Sequence, residues 1–571
     1  MKKLFLLLFI SFACFLFYSC MVPDPVDPRT TAIIREPPEP PAPKILYYVD
    51  FGAVGDGITC DFDAIVRTHD AANIAGAWVM PYPDPYNPNT PVKTFYIGAT
   101  VKTAVVRTNT TWGNAKFIID DTTIEKRGEA WADSWLWRVE SEERQFPVYG
   151  ISGLRKGQEK VPLSLGRKVL LIITDDTTRR YIRSGGSETA GEAQRDIIIV
   201  DKDGTVDPKA PIIWDFHNIT SVTAFPMDEE TLYLRGGRFT TIANRGNDID
   251  PYMERGIYII RSNTVIDDLY HDVIGEGVPT VAYFGFLRIQ FCADVTLQNS
   301  TLTGRHRDAK GTYDIQAVST VNFTVINCDQ TNSITDNSRW GIFASNYSKN
   351  ITFENVRWSR VDVHRGVHNT TIRNCDLGWQ GILVIGSGNL IIENTTIHNA
   401  FHYVQLRPDY GGTWDGNIYI KGGVHNLGST SGRIIHGGNN GQWDYGYPTY
   451  MGKNIFINGL HIENSGSSQV YLTHNIPNIP PAVLPPLAEQ PFPYNLPQRI
   501  FRKSIVTSNN VAVQNVINTG TAAQLYMDEF LTANNVVTGW PATKPADWPE
   551  ELDWAEWSRN LTWNAAERRW E

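Results

Sequence analysis

Cysteine is scarce in this sequence. There are six in 571 residues, and two of them, Cys14 and Cys20, lie within the first twenty. The other four are far apart and show no metal-binding spacing. Cys328 and Cys375 occupy equivalent places in a repeat described below, which favours buried thiols over a disulfide.

Positive charge is also in short supply. Lysine and arginine together number 51 against 61 aspartate and glutamate residues, so the formal net charge is -10. This balance argues against a nucleic-acid partner. It does not exclude an anionic ligand, because the charge at a site matters more than the total.

The amino terminus lacks an apolar run of transmembrane length. The run from Leu4 to Phe17 follows Lys2 and Lys3 and is short for a membrane span. It ends close to Cys20, an arrangement that resembles a bacterial lipoprotein signal with Cys20 as the lipidated residue. Ordinary cleavage and an uncleaved anchor are the alternatives. We expect residues 1–20 to direct export to the outer membrane, cell surface or periplasm, with the lipid as the only membrane contact.

Residues 21–44 are rich in proline and acidic residues, a composition that cannot form a core. We expect this segment to be an extended tether that holds the following domain away from a membrane surface.

A short pattern recurs between residues 340 and 423. It begins at Gly341, Asp362, Gly381 and Tyr403, so the starts are 21, 19 and 22 residues apart, and each is followed by a second apolar/polar alternation. Each repeat therefore carries at least two strands of period two. No single repeat can bury its apolar face, but parallel stacking of the repeats can. The pattern predicts a parallel β-helix, a fold in the all-β class.

The repeats also predict which residues point inward. Asparagines after the second strand suit turns, because asparagine tolerates a left-handed backbone and can stack on the next coil. The predicted inward columns are Ile342, Val363, Ile382 and Val404 for the first strand, and Ile351, Ile372, Ile391 and Ile418 for the second.

Residues 49–65 carry the segment Asp50-Phe-Gly-Ala-Val-Gly-Asp-Gly, which resembles the amino-terminal motif of the pectate-lyase-like superfamily. Members include polygalacturonases, polysaccharide lyases and phage tailspikes. The resemblance implies a right-handed parallel β-helix whose end is capped by a helix over residues 62–75. It implies structural roles for Asp50, Asp56 and Asp61, and Cys60 departs from the motif where a second aspartate is common.

The remaining chain is assigned to the same solenoid. Strand patterns between residues 80 and 245 predict early coils with long loops, and the β-helix domain is predicted to span 45–535. Residues 536–571 are rich in tryptophan. We expect them to cap the open carboxyl-terminal end, and stacking on sugar rings is the alternative.

The predicted register places a candidate site on one outer face. Asp362 and His364 point outward there, with Gly341 and Gly381 as the expected neighbours of Asp362. The catalytic candidates are Asp362, Asp409 and His364, and the substrate-binding candidates are Arg365, Gln405, Arg407, Tyr410 and Trp414.

These residue types fit a polysaccharide substrate by two mechanisms. An inverting hydrolase would pair Asp362 with Asp409 across two coils. A lyase would use His364 or Tyr410 as the base, and Arg365 or Arg407 to neutralise a uronate. Hydrolysis is favoured, and a non-catalytic surface glycan-binding protein is the third possibility. No cofactor is expected, except Ca²⁺ if the protein is a lyase.

The superfamily resemblance transfers no catalytic set. The Gly-His-Gly and Arg-Ile-Lys signatures of polygalacturonases are missing, and the aspartate-rich calcium cluster typical of pectate lyases is not evident. The sequence leaves open the sugar, the linkage and the oligomeric state.

Overall fold

The computed structural model describes most of the chain from residue 43 onward, and one compact unit begins at Lys44. The described residues are 43–180, 192–246, 251–277, 281–307, 311–398, 400–407, 414–428, 432–437, 449–450, 452–465, 469–475, 506–507, 510–519, 525–527 and 536–571.

Strands make up most of the described elements. Strands β1 to β9 are Ile45–Tyr47, Asp56–Cys60, Trp78–Met80, Thr94–Ile97, Ala104–Val106, Thr110–Asp120, Lys126–Arg127, Ala130–Trp131 and Trp137–Val139. Strands β10 to β13 are Phe146–Pro147, Val169–Arg180, Glu192–Val200 and Ser221–Pro226. Strands β14 to β27 are Leu232–Ile242, Ile257–Ile259, Thr264–Asp267, Tyr270–Ile274, Leu287–Gln290, Ala293–Gln298, Thr301–Leu302, Ile315–Val318, Val321–Ile326, Asp329–Gln330, Phe343–Asn346, Lys349–Glu354, Arg357–Arg373 and Asp376–Glu393. Strands β28 to β41 are Thr396–His398, His402–Leu406, Trp414–Lys421, Val424–Gly428, Gly432–Gly437, Thr449–Tyr450, Asn454–Asn464, Val470–Asn475, Val506–Thr507, Asn510–Asn518, Leu525–Met527, Val536–Thr538, Trp563–Asn564 and Arg569–Trp570. The helices are the 3₁₀ turn Tyr48–Phe51 and the α-helices Phe62–Ala75 and Trp554–Trp557.

The chain winds into a parallel β-helix, because strands of successive coils pair in parallel over most of the described length. This confirms the fold implied by the resemblance to the pectate-lyase-like superfamily. We call the ladder of strands that contains Val105, Tyr258, Asp362 and Gln405 the site ladder, and each coil one rung. A second ladder runs through Ile351 and Leu390.

Apolar columns fill the inside of the coils. In the site ladder, Phe343, Val361, Ile382, Val404 and Ile435 align from rung to rung, and each is fully buried. Burying a side chain of this size stabilises a fold by about 1.5–3 kcal/mol. Stacking therefore provides the core that no single coil could form.

Asparagines hold the turns between coils. Asn299, Asn327 and Asn355 all have φ between 51° and 53°, the left-handed conformation that asparagine tolerates. The Asn327 side-chain amide donates to Asn299 Oδ1 at 3.2 Å, and the Asn355 amide donates to Asn327 Oδ1 at 3.1 Å. The predicted stacking of turn asparagines is confirmed.

The amino-terminal motif has the structural role that the sequence implied. Asp61 is buried and accepts hydrogen bonds from the Val54 and Gly55 backbone amides, at 2.6 and 3.2 Å. Asp56 accepts from two amides of its own turn. The helix Phe62–Ala75 follows as predicted and contributes Phe62 to the main core. Its role as an end cap and the right-handed sense of the coil stay predictions.

Seven of the eight residues predicted to point inward lie in the main core, and Ile382 pairs with Val404 as predicted, but the rest of the predicted register is wrong. Val361 rather than Val363 lies between Phe343 and Ile382, so the first-strand alignment is shifted by two residues. The pairing of β26 with β27 is irregular between Trp358 and Arg360, and this irregularity shifts the alignment. A bulge of this kind cannot be recognised from the alternation of apolar and polar residues in the sequence. In the second ladder Ile391 points outward, because Leu390 and Ile392 beside it lie in the main core.

Strands β10 to β13 form an antiparallel sheet with its own core, which we call the insert. The predicted placing of residues 170–200 in early coils is therefore wrong. β11 and β12 are apolar on both faces, because one face packs on the insert core and the other on the β-helix. The strands of a buried rung have the same apolar composition, so the sequence does not distinguish the two arrangements. Phe225 of the insert stacks on Phe291 with ring centroids 5.2 Å apart, and Lys349 pairs with Asp196 at 2.6 Å.

The tryptophan-rich segment packs along the side of the solenoid. Trp548 and Trp557 contact outward-facing Tyr419, and Trp548 also contacts Phe456 on the next rung, with ring centroids 5.1–6.0 Å apart. Ile391 belongs to the same cluster. These contacts cover a lateral face of the second ladder, so the predicted end cap is not confirmed, and the burial of Trp548 and Trp557 argues against sugar stacking on them.

Candidate functional site

A cleft of about 600 Å³ lies on the outer side of the site ladder. Its lining spans four successive coils: Trp340 and two other residues precede β24, and most of the rest belong to β26, β27 and β29. Phe401 directly precedes β29, and Arg307 lies in the segment after β20. At about 4.8 Å per rung, the cleft runs about 14 Å along the solenoid. The residues that carry the argument below are Arg307, Trp340, Arg360, Trp379, His402 and Gln405.

Most of these side chains precede the inward apolar residue of their rung. Trp340 lies just before β24, Trp379 comes three residues before inward Ile382, and His402 comes two residues before inward Val404. A β-carbon on Gly341 would lie 3.2 Å from Arg360 Cδ, so glycine there leaves room for the guanidinium side chain. Each of these rungs thus places a polar or aromatic side chain at the same edge of the ladder, where the cleft lies.

Asp362 forms a buried anchor beneath the cleft. Its side chain is fully buried, and Oδ2 accepts hydrogen bonds from the Tyr313 hydroxyl at 2.6 Å, from Arg360 and from Arg407 Nη1 at 2.9 Å. Burial alone would raise the pKa of Asp362, but the charges of Arg360, Arg407 and His364 outweigh it and hold the pKa well below its usual range. The carboxylate therefore stays ionised and fixes two guanidinium groups.

This environment contradicts the catalytic role predicted for Asp362. Its neighbours in the ladder are Ala344 and Leu383 instead of two glycines, so no open space adjoins it. A buried carboxylate with a depressed pKa has no proton to donate near neutral pH. Asp362 is a positioning residue.

Five polar atoms of residues that line the cleft have no hydrogen-bond partner among the described residues. They are Arg360 Nε, the indole nitrogens of Trp340 and Trp379, Gln380 Oε1 and His402 Nε2. Buried polar groups are nearly always hydrogen-bonded to protein, water or ligand. Three donors and two acceptors in one cleft are what a ligand with hydroxyl and carbonyl or carboxylate oxygens would satisfy.

His402 is a neutral imidazole in this setting. Burial first, then the charges of His436, His425 and Arg433, lowers the pKa of His402 to about 3. A hydrogen bond to the Gln380 backbone holds the ring. The unpartnered Nε2 is therefore a buried hydrogen-bond acceptor at neutral pH, in a residue that lines the cleft.

Cations and aromatic rings alternate along the lining. The Arg360 guanidinium lies 4.9 Å from the Trp340 ring, and that of exposed Arg307 lies 5.5 Å from the Trp379 ring. Leu383 and Phe401 add apolar surface, and Phe401 is 55 % exposed. This combination suits a sugar ring with an acidic group.

The other predicted site residues divide into two groups. Gln405 lines the cleft as predicted, and Arg407 contacts Asp362. His364 Nδ1 lies 2.5 Å from Asn346 Oδ1, and Arg365 pairs with Glu192 of the insert at 3.0 Å. These last two residues lie beside the cleft lining and are not part of it.

Trp414 is wrongly predicted as a substrate-binding residue. It lies in the main core, fully buried, and its indole nitrogen donates to the Gly388 carbonyl at 3.1 Å. Tyr403, at the start of the fourth repeat, is also buried, and its hydroxyl donates to the Thr395 carbonyl. Asp409, Tyr410 and Cys20 lie outside the described residues.

Sequence reasoning missed Trp340, Arg360, Trp379 and His402. A signal was present, since an aromatic or histidine residue lies one or two residues before three of the four repeat starts: Trp340 before Gly341, Trp379 two before Gly381 and His402 before Tyr403. The residue that flanks a repeated strand was the informative position.

Within the described ranges, no group of three or more histidine, cysteine, aspartate or glutamate residues is arranged to hold a metal ion. No helix in those ranges is long and apolar enough to cross a membrane. Cys292, Cys328 and Cys375 are buried free thiols, which confirms the prediction for the last two.

Comparison with known proteins adds a short sequence match and several distant structural ones. No protein-family model matches the chain. A segment of 93 residues is 30 % identical to a KL64-specific capsule depolymerase of Klebsiella phage P510, and covers 14 % of this chain and 9 % of the depolymerase.

Two tailspikes are among the solved structures with a similar course of the chain. Tailspike gp49 of Pseudomonas phage LKA1 is 13 % identical with a TM-score of 0.48, over 82 % of this chain and 81 % of that one. The gp54 tailspike of Acinetobacter baumannii phage AP22, solved with a capsular saccharide, is 12 % identical with a TM-score of 0.42, over 83 % and 76 %. These values are too low to carry an inference about ligand or reaction.

Proposed function

We propose that this protein binds and cleaves an acidic polysaccharide in the cleft of the site ladder. The observation that carries the proposal is the set of unpartnered donors and acceptors of Trp340, Trp379, Gln380 and His402, placed among two guanidinium groups and two indole rings. The groove crosses four rungs, which suits an extended chain of sugars better than a small molecule.

The groups in the cleft support β-elimination best. Arg360 and Arg307 would pair with the carboxylate of a uronate, and so make the proton on the adjacent carbon more acidic. His402 Nε2 would accept that proton. The released electron pair forms the carbon–carbon double bond, the bond to the leaving glycosidic oxygen breaks, and that oxygen takes a proton from solvent.

The low pKa of His402 belongs to the protein without its ligand. A neutral ring is the form that can accept a proton, although a pKa of about 3 makes it a weak base. A bound carboxylate would bring negative charge beside the ring and raise this pKa.

Hydrolysis is the second candidate. Asp409 comes four residues after Gln405 in the sequence, so a carboxyl group follows the cleft lining closely along the chain. An inverting hydrolase needs two carboxyl groups about 6.5–9.5 Å apart. Asp362 is unsuited to act as the second, because it is buried and held by ion pairs.

The described residues around the cleft do not offer the group of carboxylates that Ca²⁺ would require. No step is therefore assigned to a metal. A calcium requirement stays a prediction, and activity in the presence of a chelator tests it.

The experiment is a screen of purified protein on polygalacturonate, alginate, hyaluronan, a Klebsiella KL64 capsule preparation and neutral dextran. The short match to a capsule depolymerase is the reason to include the capsule. New reducing ends with ultraviolet absorbance from unsaturated uronates support β-elimination. New reducing ends without it indicate hydrolysis, and retention without cleavage indicates a glycan-binding protein.

Export and lipid anchoring complete the proposal. The charged start, the apolar run and Cys20 favour an exported lipoprotein, and the proline-rich residues 21–44 favour a tether. The enzyme would then meet its polysaccharide at the outer membrane or cell surface.

A further inference from the structure

A second groove, of about 900 Å³, lies near the amino-terminal end of the site ladder. One wall is the ladder itself, with Arg138 and Tyr258, and the other includes Phe225 of the insert. We call it the insert groove. Its lining shares no residue with the cleft described above.

Both grooves lie along the same ladder of strands. In the ladder, Val105 pairs with Arg138, Arg138 with Tyr258, and Tyr258 with Arg288. The same column continues through Gln316, Ala344, Asp362, Leu383 and Gln405. Eight rung steps separate Val105 from Gln405, which is about 38 Å at about 4.8 Å per step.

Polar side chains connect the grooves along this column. The Tyr258 hydroxyl donates to Gln290 Oε1 at 3.3 Å, and Arg288 Nη1 donates to Gln316 Oε1 at 2.7 Å. Tyr258 and Arg288 are only partly buried. Gln316, Ala344 and Asp362, which follow along the column, are buried. A chain of sugars that reaches both grooves would therefore meet Tyr258 and Arg288 directly and pass above these three residues.

The insert groove differs from the cleft in charge. Its lining carries four carboxylates, on Asp70, Glu140, Glu142 and Glu143, against the three arginines Arg107, Arg138 and Arg144, whereas the lining of the cleft carries two arginines and no carboxylate. Glu140 pairs with Arg107 at 2.6 Å and with Arg138 at 2.7 Å. Half-buried aromatic rings are held beside them: Phe225 stacks on Phe291, and Tyr258 stacks on Trp135 at 5.3 Å. A lining without excess positive charge, together with aromatic faces, suits the hydroxyl groups and ring faces of uncharged sugars.

We propose that the insert groove is a second binding site for the same polysaccharide chain, and that it takes uncharged sugar units while the cleft takes an acidic unit. This proposal rests on the proposed function of the cleft. Occupying both sites on one chain raises the affinity for long polymer over short fragments, because the second contact is intramolecular.

The test is affinity electrophoresis in gels that contain each polysaccharide of the screen, either intact or hydrolysed to short fragments. The variants are Arg138→Ala, whose side chain is 41 % exposed, and Ile74→Asp at an 89 % exposed position on the groove rim. Arg569→Ala, 64 % exposed and far from both grooves in the fold, is the matched control. Melting temperatures verify that each variant is folded.

We expect the wild-type protein to bind intact polymer at least about tenfold more tightly than fragments. Arg138→Ala and Ile74→Asp should remove most of this advantage and leave fragment binding unchanged, and Arg569→Ala should change neither. Equal affinity of all variants for intact polymer overturns the second site and leaves the cleft standing. A wild-type protein that binds none of the polysaccharides overturns the function proposed for the cleft, and the second site with it.

Discussion

Arg407 Nη1 lies 2.9 Å from Asp362 Oδ2, although the two residues are 45 positions and two rungs apart. The same carboxylate oxygen accepts a hydrogen bond from the Tyr313 hydroxyl. Tyr313 lies just before β21, which is two rungs from Asp362 on the side opposite to Arg407. One buried carboxylate therefore ties together the floor of the cleft across five rungs. The cleft depends on this anchor for the position of its arginines.

Replacing the anchor should destabilise the protein. Asp362→Asn leaves two guanidinium groups without their buried counter-charge, and breaking such a pair costs about 3–5 kcal/mol. We expect a matching loss in the free energy of unfolding, measured by urea denaturation. The control is Asp203→Asn. The ion pair of Asp203 with Lys160 is exposed, so its loss should leave the free energy of unfolding nearly unchanged. Equal stability of both variants with the wild-type protein would contradict the anchor.

Stability should fall as the pH drops below about 6.5, the ordinary pKa of histidine. Burial lowers the pKa of His69, His368 and His402 to about 3. Between these values the unfolded chain binds more protons than the folded one, so acid favours unfolding. His402→Gln should make the loss less steep in denaturation series from pH 8 to pH 4. A wild-type stability that does not change over this range would show that these histidines are not buried as described.

Two substitutions test the register of the strands. Ile382→Asp places a carboxylate inside the coils and should cost on the order of 3 kcal/mol or more. Ile391→Asp places one on the outer face beneath Trp548, so it should release the segment 540–571 and leave the coils folded. Limited proteolysis with mass spectrometry separates these outcomes. Cleavage throughout the solenoid in the Ile391→Asp variant would mean that Ile391 points inward.

The lipid anchor is a prediction from sequence alone. Cys20→Ala removes the only residue in the signal-like segment placed to receive the lipid, so the protein should leave the membrane fraction. Cell fractionation and the mass of the mature amino terminus provide the measurement. A variant that stays in the membrane fraction and retains residues 1–19 would contradict lipidation.

The sequence predicted the class of fold and the elements that local chemistry determines. Period-two alternation identified the strands, asparagines marked the turns, and the Asp50–Asp61 motif marked the first coil and the following helix. Each of these signals lies within a few residues of the element that it predicts.

The parts that could not be predicted depend on contacts between distant segments. The irregular pairing at Arg360 shifted the register, and only the packing of neighbouring coils determines it. The apolar runs of β11 and β12 fit a buried rung as well as the insert, since both faces are covered in either case. The sequence predicted Asp362 as an exposed acid because the residues that cover it are distant in sequence. Tyr313 is 49 residues away and Arg407 is 45 residues away.

The central claim is that the cleft recognises the acidic group of a polysaccharide through its arginines. The most direct test compares the affinity of the protein for the acidic polymer identified in the screen with its affinity for the same polymer after chemical reduction of the carboxyl groups. Reduction keeps the sugar backbone and removes the charge. We predict at least about tenfold weaker binding of the reduced polymer, since a charge-assisted hydrogen bond contributes roughly 1.5–3 kcal/mol. Arg307→Ala should narrow this difference, and Arg569→Ala should not. Equal affinity of the wild-type protein for both polymers would contradict the account.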